Sequence, residues 1–192
     1  MNAAPRAALL TALWLACSAS PHAQPQAERL AVCAACHGPG GRSALPGTPS
    51  LAGQPKLFIE NQLVIIREGL RDVPVMKPLL AGMGDEEIVA LATYYAAQAP
   101  KAPLPTQQPD KARAGATLAQ RLLCGTCHLP TYAGQQQVPR LGGQDEAYLL
   151  SAMKQLRDAP GPGRDTIMAA ALRGLSDGEL DALAHHLAHF AP

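Results

Sequence analysis

LLCGTCHLP, residues 122–130, sets Cys124, Cys127 and His128 within five positions. Ninety-one residues earlier the chain reads AVCAACHGP, with Cys33, Cys36 and His37 in the same order. The repetition runs well past the cysteines. Pro49, Leu51, Gly53 and Gln54 of PSLAGQ return as Pro139, Leu141, Gly143 and Gln144 of PRLGGQ. Met76, Asp85 and Leu91 return as Met168, Asp177 and Leu183, with the spacing drifting by only a residue or two. A duplicated domain with small loop insertions gives this pattern.

Each half reads as helices joined by irregular loops. Residues 26–36 and 111–127 form helices that run into the cysteine pairs, and KLFIENQLVIIREG and EAYLLSAMKQLRD form a middle helix in each half. The closing helices carry the clearest periodicity. Ile88, Leu91, Ala92 and Tyr95 fall at i, i+3, i+4 and i+7, and Leu180, Leu183, Ala184 and Leu187 repeat that spacing, which puts each set on one face. Ser176 and Glu179 make a capping box at the start of the second. No run alternates with period two, so the expected fold class is all-α, with two tandem domains over residues 24–97 and 111–192. Between them QAPKAPLPTQQPD, residues 98–110, carries four prolines and reads as an extended, stiff linker.

Residues 1–23 have a positive charge at Arg6, an apolar run from Ala7 to Ala16, and small residues up to Ala23. This is the layout of a cleaved export signal, too short in its apolar part to span a bilayer. Cleavage is expected after Ala23, with Ala19 as the alternative. A lipid on Cys17, or an uncleaved leader, would instead leave the protein membrane-associated; Trp14, three positions ahead of Cys17, is a poor residue for lipidation. Without the leader the four remaining cysteines all belong to the two C-x-x-C-H units, and the charges balance at 15 against 15. A chain without a basic surplus gives no reason to expect a nucleic-acid partner. Export also means an oxidising compartment, where unprotected thiols rarely stay free.

Four chemistries compete for C-x-x-C-H. A redox dithiol needs a β-α-β setting, which is absent from the pattern around either site. Zinc asks for paired C-x-x-C knuckles about 15 to 20 residues apart. Structural disulfides leave the histidine after each pair without a purpose. Covalent haem uses all three residues: two thiols on one helical turn bond the porphyrin vinyl groups, and the adjacent histidine turns under the ring to ligate iron. Two covalently bound haem c groups follow, attached at Cys33 and Cys36 and at Cys124 and Cys127, with His37 and His128 as iron ligands. Aromatic residues make up only 4% of the chain, and its single tryptophan, Trp14, leaves with the leader, so the porphyrins must supply the bulk that the two cores lack.

A sixth iron ligand remains to be found. A methionine thioether favours ferrous iron and suits an electron carrier. Met153 lies within a helical stretch and Met83 aligns with Leu175, so both are expected in the core. Met76 and Met168 are the matched pair, each in a loop ahead of its domain's last helix, and Pro74 and Pro78 stiffen the loop around Met76. His185, His186 and His189 have no counterparts in the first half and are expected on the surface near the C-terminus.

These residues closely resemble the dihaem cytochrome c4 family over the whole mature chain. The likeness rests on CAACHG, PSLAGQ with PRLGGQ, and Met76 and Met168 ahead of GDEEIVALATYYAAQ and LSDGELDALAHHLAHF. The resemblance implies two cytochrome c-like domains with their haems close together, and carbonyls of Pro49 and Pro139 that accept a hydrogen bond from each proximal histidine. It implies a periplasmic carrier of single electrons with no substrate turnover, fed by a quinol-oxidising cytochrome complex and discharging to a terminal haem-copper oxidase. The alternative is an electron-accepting subunit of a periplasmic dehydrogenase. A dihaem peroxidase would need a five-coordinate iron, which a histidine-methionine pair does not leave. Leu129 stands where the first half has Gly38, and DAPGPGRD is rich in proline and glycine, so the loops around the second haem are expected to differ from those around the first.

Overall fold

The computed structural model describes residues 27–191, and the export signal expected over residues 1–23 lies outside them. The first half contains α1 (Ala27–His37), a 3-10 turn (Pro39–Gly41), α2 (Lys56–Arg67), α3 (Lys77–Leu80) and α4 (Asp85–Ala96). The second contains α5 (Pro109–Arg121), α6 (Cys124–His128), α7 (Glu146–Asp158), α8 (Thr166–Leu172) and α9 (Asp177–Ala188). Among the described residues there is no strand, only an isolated bridge between Gln135 and Val138, so the all-helical reading holds.

The closing helices form as their periodicity requires. Ile88, Leu91, Ala92 and Tyr95 are exposed by no more than 3%, and so are Leu180, Leu183, Ala184 and Leu187. Burial of each leucine or isoleucine contributes about 1.5–3 kcal/mol. Asp85, Glu86 and Glu87 place negative charge in the first turn of α4, where the helix dipole favours it, and α9 starts on the Ser176–Glu179 capping box. α4 packs on α2 in the first half; α9 is crossed by both α5 and α7 in the second. Met83 and Met153 fill the cores, as expected.

One clip recurs in both halves. Arg67, at the end of α2, donates to the Met83 carbonyl and to Asp85; Arg157, near the end of α7, donates to the Leu175 carbonyl and to Asp177. Each guanidinium ties the middle helix to the start of the closing one.

The helix expected over residues 111–127 is broken. α5 ends at Arg121, Leu123 takes a left-handed conformation (φ 56°), and α6 restarts at Cys124. In α1 the same segment continues unbroken through AVCAACH. CGTCH has glycine and a β-branched threonine where α1 has two alanines, so it holds helix less strongly.

The segment between α4 and α5 is extended, as its prolines require, and it is anchored at both ends. Arg42 donates to the Ala99 carbonyl and Lys101 to the Ser43 carbonyl on the first half. On the second half His189 Nδ1 meets the Leu104 carbonyl at 2.7 Å, and Thr106 Oγ1 meets His185 Nε2 at 2.6 Å.

That last contact corrects the expectation that the C-terminal histidines are surface residues, because His185 is only 2% exposed. The Gln108 amide donates to Thr106 Oγ1, the Thr106 hydroxyl to His185 Nε2, and His185 Nδ1–H to Glu146 at 3.1 Å. Lys111 also pairs with Glu146. Burial pushes the Glu146 carboxyl up, but the bonds from His185 and Lys111 outweigh it and hold the group below its usual range. A carboxyl depressed in the folded state stabilises it above the unfolded pKa, and that contribution is lost as pH falls through the folded value. Glu146→Ala, which leaves the buried His185 N–H unpaired, is expected to cost about 1–3 kcal/mol at pH 7. The gap from wild type should begin to narrow near pH 4, where the unfolded carboxyl is protonated, and close only once the folded carboxyl is protonated too. Denaturant unfolding of both proteins at pH 7 and through this acid range checks this; a gap unchanged in acid would refute the ionic origin.

Candidate functional site

Cys33 and Cys36 lie in the last turns of α1 with His37 closing it, and Cys124, Cys127 and His128 span α6. Within each pair the first cysteine is half-buried and the second exposed, and neither pair is bridged. Burial pushes the Cys33 thiol up, partly offset by the Tyr95 hydroxyl and the Arg29 charge; burial pushes Cys124 up as well. The inward thiols therefore stay protonated in an apolar setting.

Both histidines turn into the protein. His37 is 8% exposed and His128 3%. Each donates its Nδ1–H to a proline carbonyl at 2.8 Å, His37 to Pro49 and His128 to Pro139. Burial pushes both imidazoles below their ordinary value, against the proline bonds that favour the protonated ring. The neutral tautomer carries its proton on Nδ1 and leaves the Nε2 lone pair for a metal. His128 Nε2 is buried and has no hydrogen-bond partner among the described residues, an arrangement that costs about 1–3 kcal/mol unless something ligates it.

The loops after the two pairs differ, as expected, with a 3-10 turn in the first and a Gln135–Val138 bridge in the second, but the residue next to each histidine takes the same backbone. Gly38 has φ 75° and ψ 165°, and Leu129 has φ 68° and ψ 155°. Only glycine adopts this region readily, so Leu129 stores strain of about 1–3 kcal/mol. Packing around α6 overrides the preference of Leu129, so at this one position the sequence difference does not become a structural one.

Met76 and Cys33 pack against the first core, and Met168 and Cys124 against the second. Met76 stands at the entrance of α3, in a turn where its amide bonds the Val73 carbonyl. Met168 was expected in a loop but lies in the first turn of α8, because Asp165 caps that helix by accepting from the Met168 amide at 2.8 Å. The Asp165 carboxylate also favours the protonated form of His128, less than the Pro139 carbonyl does and against the larger effect of burial. The sequence marks Tyr95 only as one residue of a core stripe and gives Asp165 no role; their places beside Cys33 and at the start of α8 come from the structure.

A further group joins the two sites. Gln54 Nε2 donates to the Arg140 carbonyl and its Oε1 accepts from the Arg140 amide, both at 2.9 Å. Gln144 does the same to Ser50, donating to its carbonyl at 2.9 Å and accepting from its amide at 2.7 Å. The repeat marked these glutamines; only the structure gives their partners in the opposite half.

The donor set fits haem in both halves: two sulfurs on one helical turn, a buried histidine with Nε2 available, and a methionine on the same core. Residues 21–94 match the family model for subunit III of cbb3-type cytochrome c oxidase, and residues 112–191 match that for cytochrome c. Cytochrome c4 of Pseudomonas aeruginosa is 31% identical over 182 residues, 90% of each chain. The thiosulfate dehydrogenase electron acceptor of Thiomonas intermedia is 34% identical over 94% of this chain and 88% of its own. The crystal structure of reduced recombinant cytochrome c4 from Pseudomonas stutzeri superposes with a TM-score of 0.79 at 29% identity, over 85% of this chain and 96% of the other. With two cytochrome c domains, a C-x-x-C-H unit in each and this similarity along nearly the whole length, the chain belongs to the cytochrome c4 family: it is a dihaem electron-transfer cytochrome with two covalently bound haem c groups.

Proposed function

We propose that the protein is a periplasmic carrier of single electrons. In this reading Cys33, Cys36, Cys124 and Cys127 hold the haems, His37 and His128 ligate one side of each iron, and Met76 and Met168 ligate the other. The observation that carries it is the matched pair of buried histidines, each with Nδ1 committed to a proline carbonyl at 2.8 Å and Nε2 left to the metal. Each haem, when bound, supplies an iron that alternates between ferric and ferrous states by one electron.

The chain's residues set the conditions for that step. The cysteines keep the cofactor attached in a compartment where a lost one is not replaced. Pro49 and Pro139 fix the imidazole planes and raise their basicity. The thioethers of Met76 and Met168 favour the reduced state. With a histidine and a methionine on each iron, no coordination position would be left for a substrate, which suits a carrier rather than an enzyme.

For partners, the family resemblance favours a quinol-oxidising cytochrome complex as donor and a terminal haem-copper oxidase as acceptor. A second reading, electron acceptor to a periplasmic dehydrogenase, draws on the Thiomonas intermedia relative, whose similarity equals that of the cytochromes c4. Mixing the reduced protein with oxidase-containing membranes, and the oxidised protein with a thiosulfate dehydrogenase, separates the two by rate.

An optical redox titration tests the ligands. Met76→Ala and Met168→Ala are each expected to remove about half of the methionine-to-iron absorption band. Each should lower one midpoint by on the order of 0.1 V, within the ~0.8 V that axial ligation spans. Spectra and potentials unchanged in both variants would refute the assignment.

A further inference from the structure

The bond from Gln144 to Ser50 does more than join two halves. The Ser50 N–H and the Pro49 C=O belong to one peptide group, and that carbonyl is the acceptor for His37 Nδ1–H. The Arg140 N–H and the Pro139 C=O likewise share one peptide, whose carbonyl serves His128 and whose amide is bonded by Gln54. A peptide is conjugated, so an acceptor on its N–H pushes electron density onto its oxygen and makes that oxygen a stronger acceptor in turn. Such chaining strengthens a bond by about 10–30% in a medium of low polarity. Both glutamines are at most 6% exposed, so water does not compete for these bonds.

We infer that the two glutamines are positioning residues that act across the seam: Gln144 sets the basicity of His37, and through it the potential of the first haem, while Gln54 does the same for His128 and the second haem. This rests on the assignment of His37 and His128 as iron ligands. A stronger bond at Nδ1 gives the ring more imidazolate character, which favours ferric iron and lowers the potential. Removing the glutamine weakens the proline carbonyl as an acceptor and raises it. Each half thus holds the residue that adjusts the other's haem.

The two arms differ in one detail. Asp145 follows Gln144 and its amide also donates to Gln144 Oε1 at 2.9 Å. Pro55 follows Gln54 and has no N–H to offer, so Gln54 Oε1 has no such neighbour competing with Arg140.

The experiment follows each haem separately in the holoprotein, by NMR during a redox titration. The resonances are assigned through their loss in Met76→Ala and Met168→Ala. Gln144→Met keeps the side-chain volume and removes both bonds. It is expected to shift the ferric-to-ferrous ratio of the first haem about threefold at a fixed applied potential, an upward move of ~28 mV on the scale of ~59 mV per tenfold for one electron. The second haem should stay in place. Gln54→Met should move the second haem upward and leave the first. A shift in the substituted half's own haem, equal shifts in both, or none in either overturns the inference.

Gln144→Glu retains an acceptor for the Ser50 amide whether the carboxyl is charged or protonated, so the first haem should stay at or below its wild-type potential. A rise in this variant overturns the inference too, and the measurement stands if Gln144→Met does not fold. If Met76→Ala and Met168→Ala leave every haem resonance unchanged, the ligand assignment falls and this inference with it. A same-half shift with the ligand signals intact overturns the crossing alone.

Discussion

Cys124→Ala is expected to cut the haem content of the exported protein from two per chain toward one and to lower its yield severalfold. The core of the second half is built from ten buried residues, among them Leu118, Leu149, Leu172, Leu180 and Leu183, with Tyr132 as its one buried aromatic ring and no tryptophan among the described residues. A unit of this size supplies only about 3–5 kcal/mol from a single core unless something staples it. Cys124 itself packs against that core, as do Met168 and Leu141. Without its thioether the haem is held less firmly, His128 Nε2 is left buried without a ligand, and the strain at Leu129 is no longer offset. Haem per chain by pyridine haemochrome, with periplasmic yield by immunoblot, measures the effect. Normal yield with two haems would mean that Cys127 alone suffices and that the core needs less from the porphyrin than its composition indicates.

The second large effect is at Gly115, in the middle of α5. A Cβ there would lie 2.1 Å from the Ala182 carbonyl oxygen and 2.6 Å from His186 Cβ, both on α9. These are a backbone atom and the root of a side chain, so neither can rotate away. The crossing of α5 on α9 is the most extensive helix contact in the protein, and it holds Leu118, Ala119, Leu183 and Ala184 in the core. Gly115→Leu is therefore expected to destabilise the second half by about 3 kcal/mol or more, because the helices must separate along their length. Intrinsic preference has the opposite sign, since leucine suits a helix better than glycine by up to about 1 kcal/mol. Denaturant unfolding followed by circular dichroism decides between them. A variant as stable as wild type would show that α5 does not approach α9 as closely as described.

The parts of this fold that the sequence makes legible are those in which the chain repeats itself. The stripes on α4 and α9 are read from spacing, because a helix buries whatever recurs at three and four residues. The haem motifs are read from chemistry, because few tasks need two thiols and a histidine in five positions. What escapes is fixed by contacts remote in sequence. His185 looks like a surface residue in a histidine-rich tail until Thr106 and Glu146 meet it from other elements. Leu129 looks like a departure from Gly38, yet the surrounding loop imposes the same backbone on both. The break at Leu123 falls on a leucine, and only Gly125 and Thr126 just after it weaken the helix there. Gln54 and Gln144 stand out by repetition, but a repeat does not say that each one's partner is in the other copy.

The glutamine seam has one more consequence. Gln54 meets Arg140 and Gln144 meets Ser50, so equivalent positions exchange equivalent bonds, as two identical subunits do about a two-fold axis. The molecule is built like a homodimer whose subunits have become one polypeptide. Joined by the short segment between α4 and α5, each copy meets the other at an effective concentration in the millimolar range, whatever the amount of protein in the cell. Four hydrogen bonds can then hold an alignment that free subunits would need a far larger apolar interface to maintain. The geometry between the two redox centres thus becomes independent of dilution.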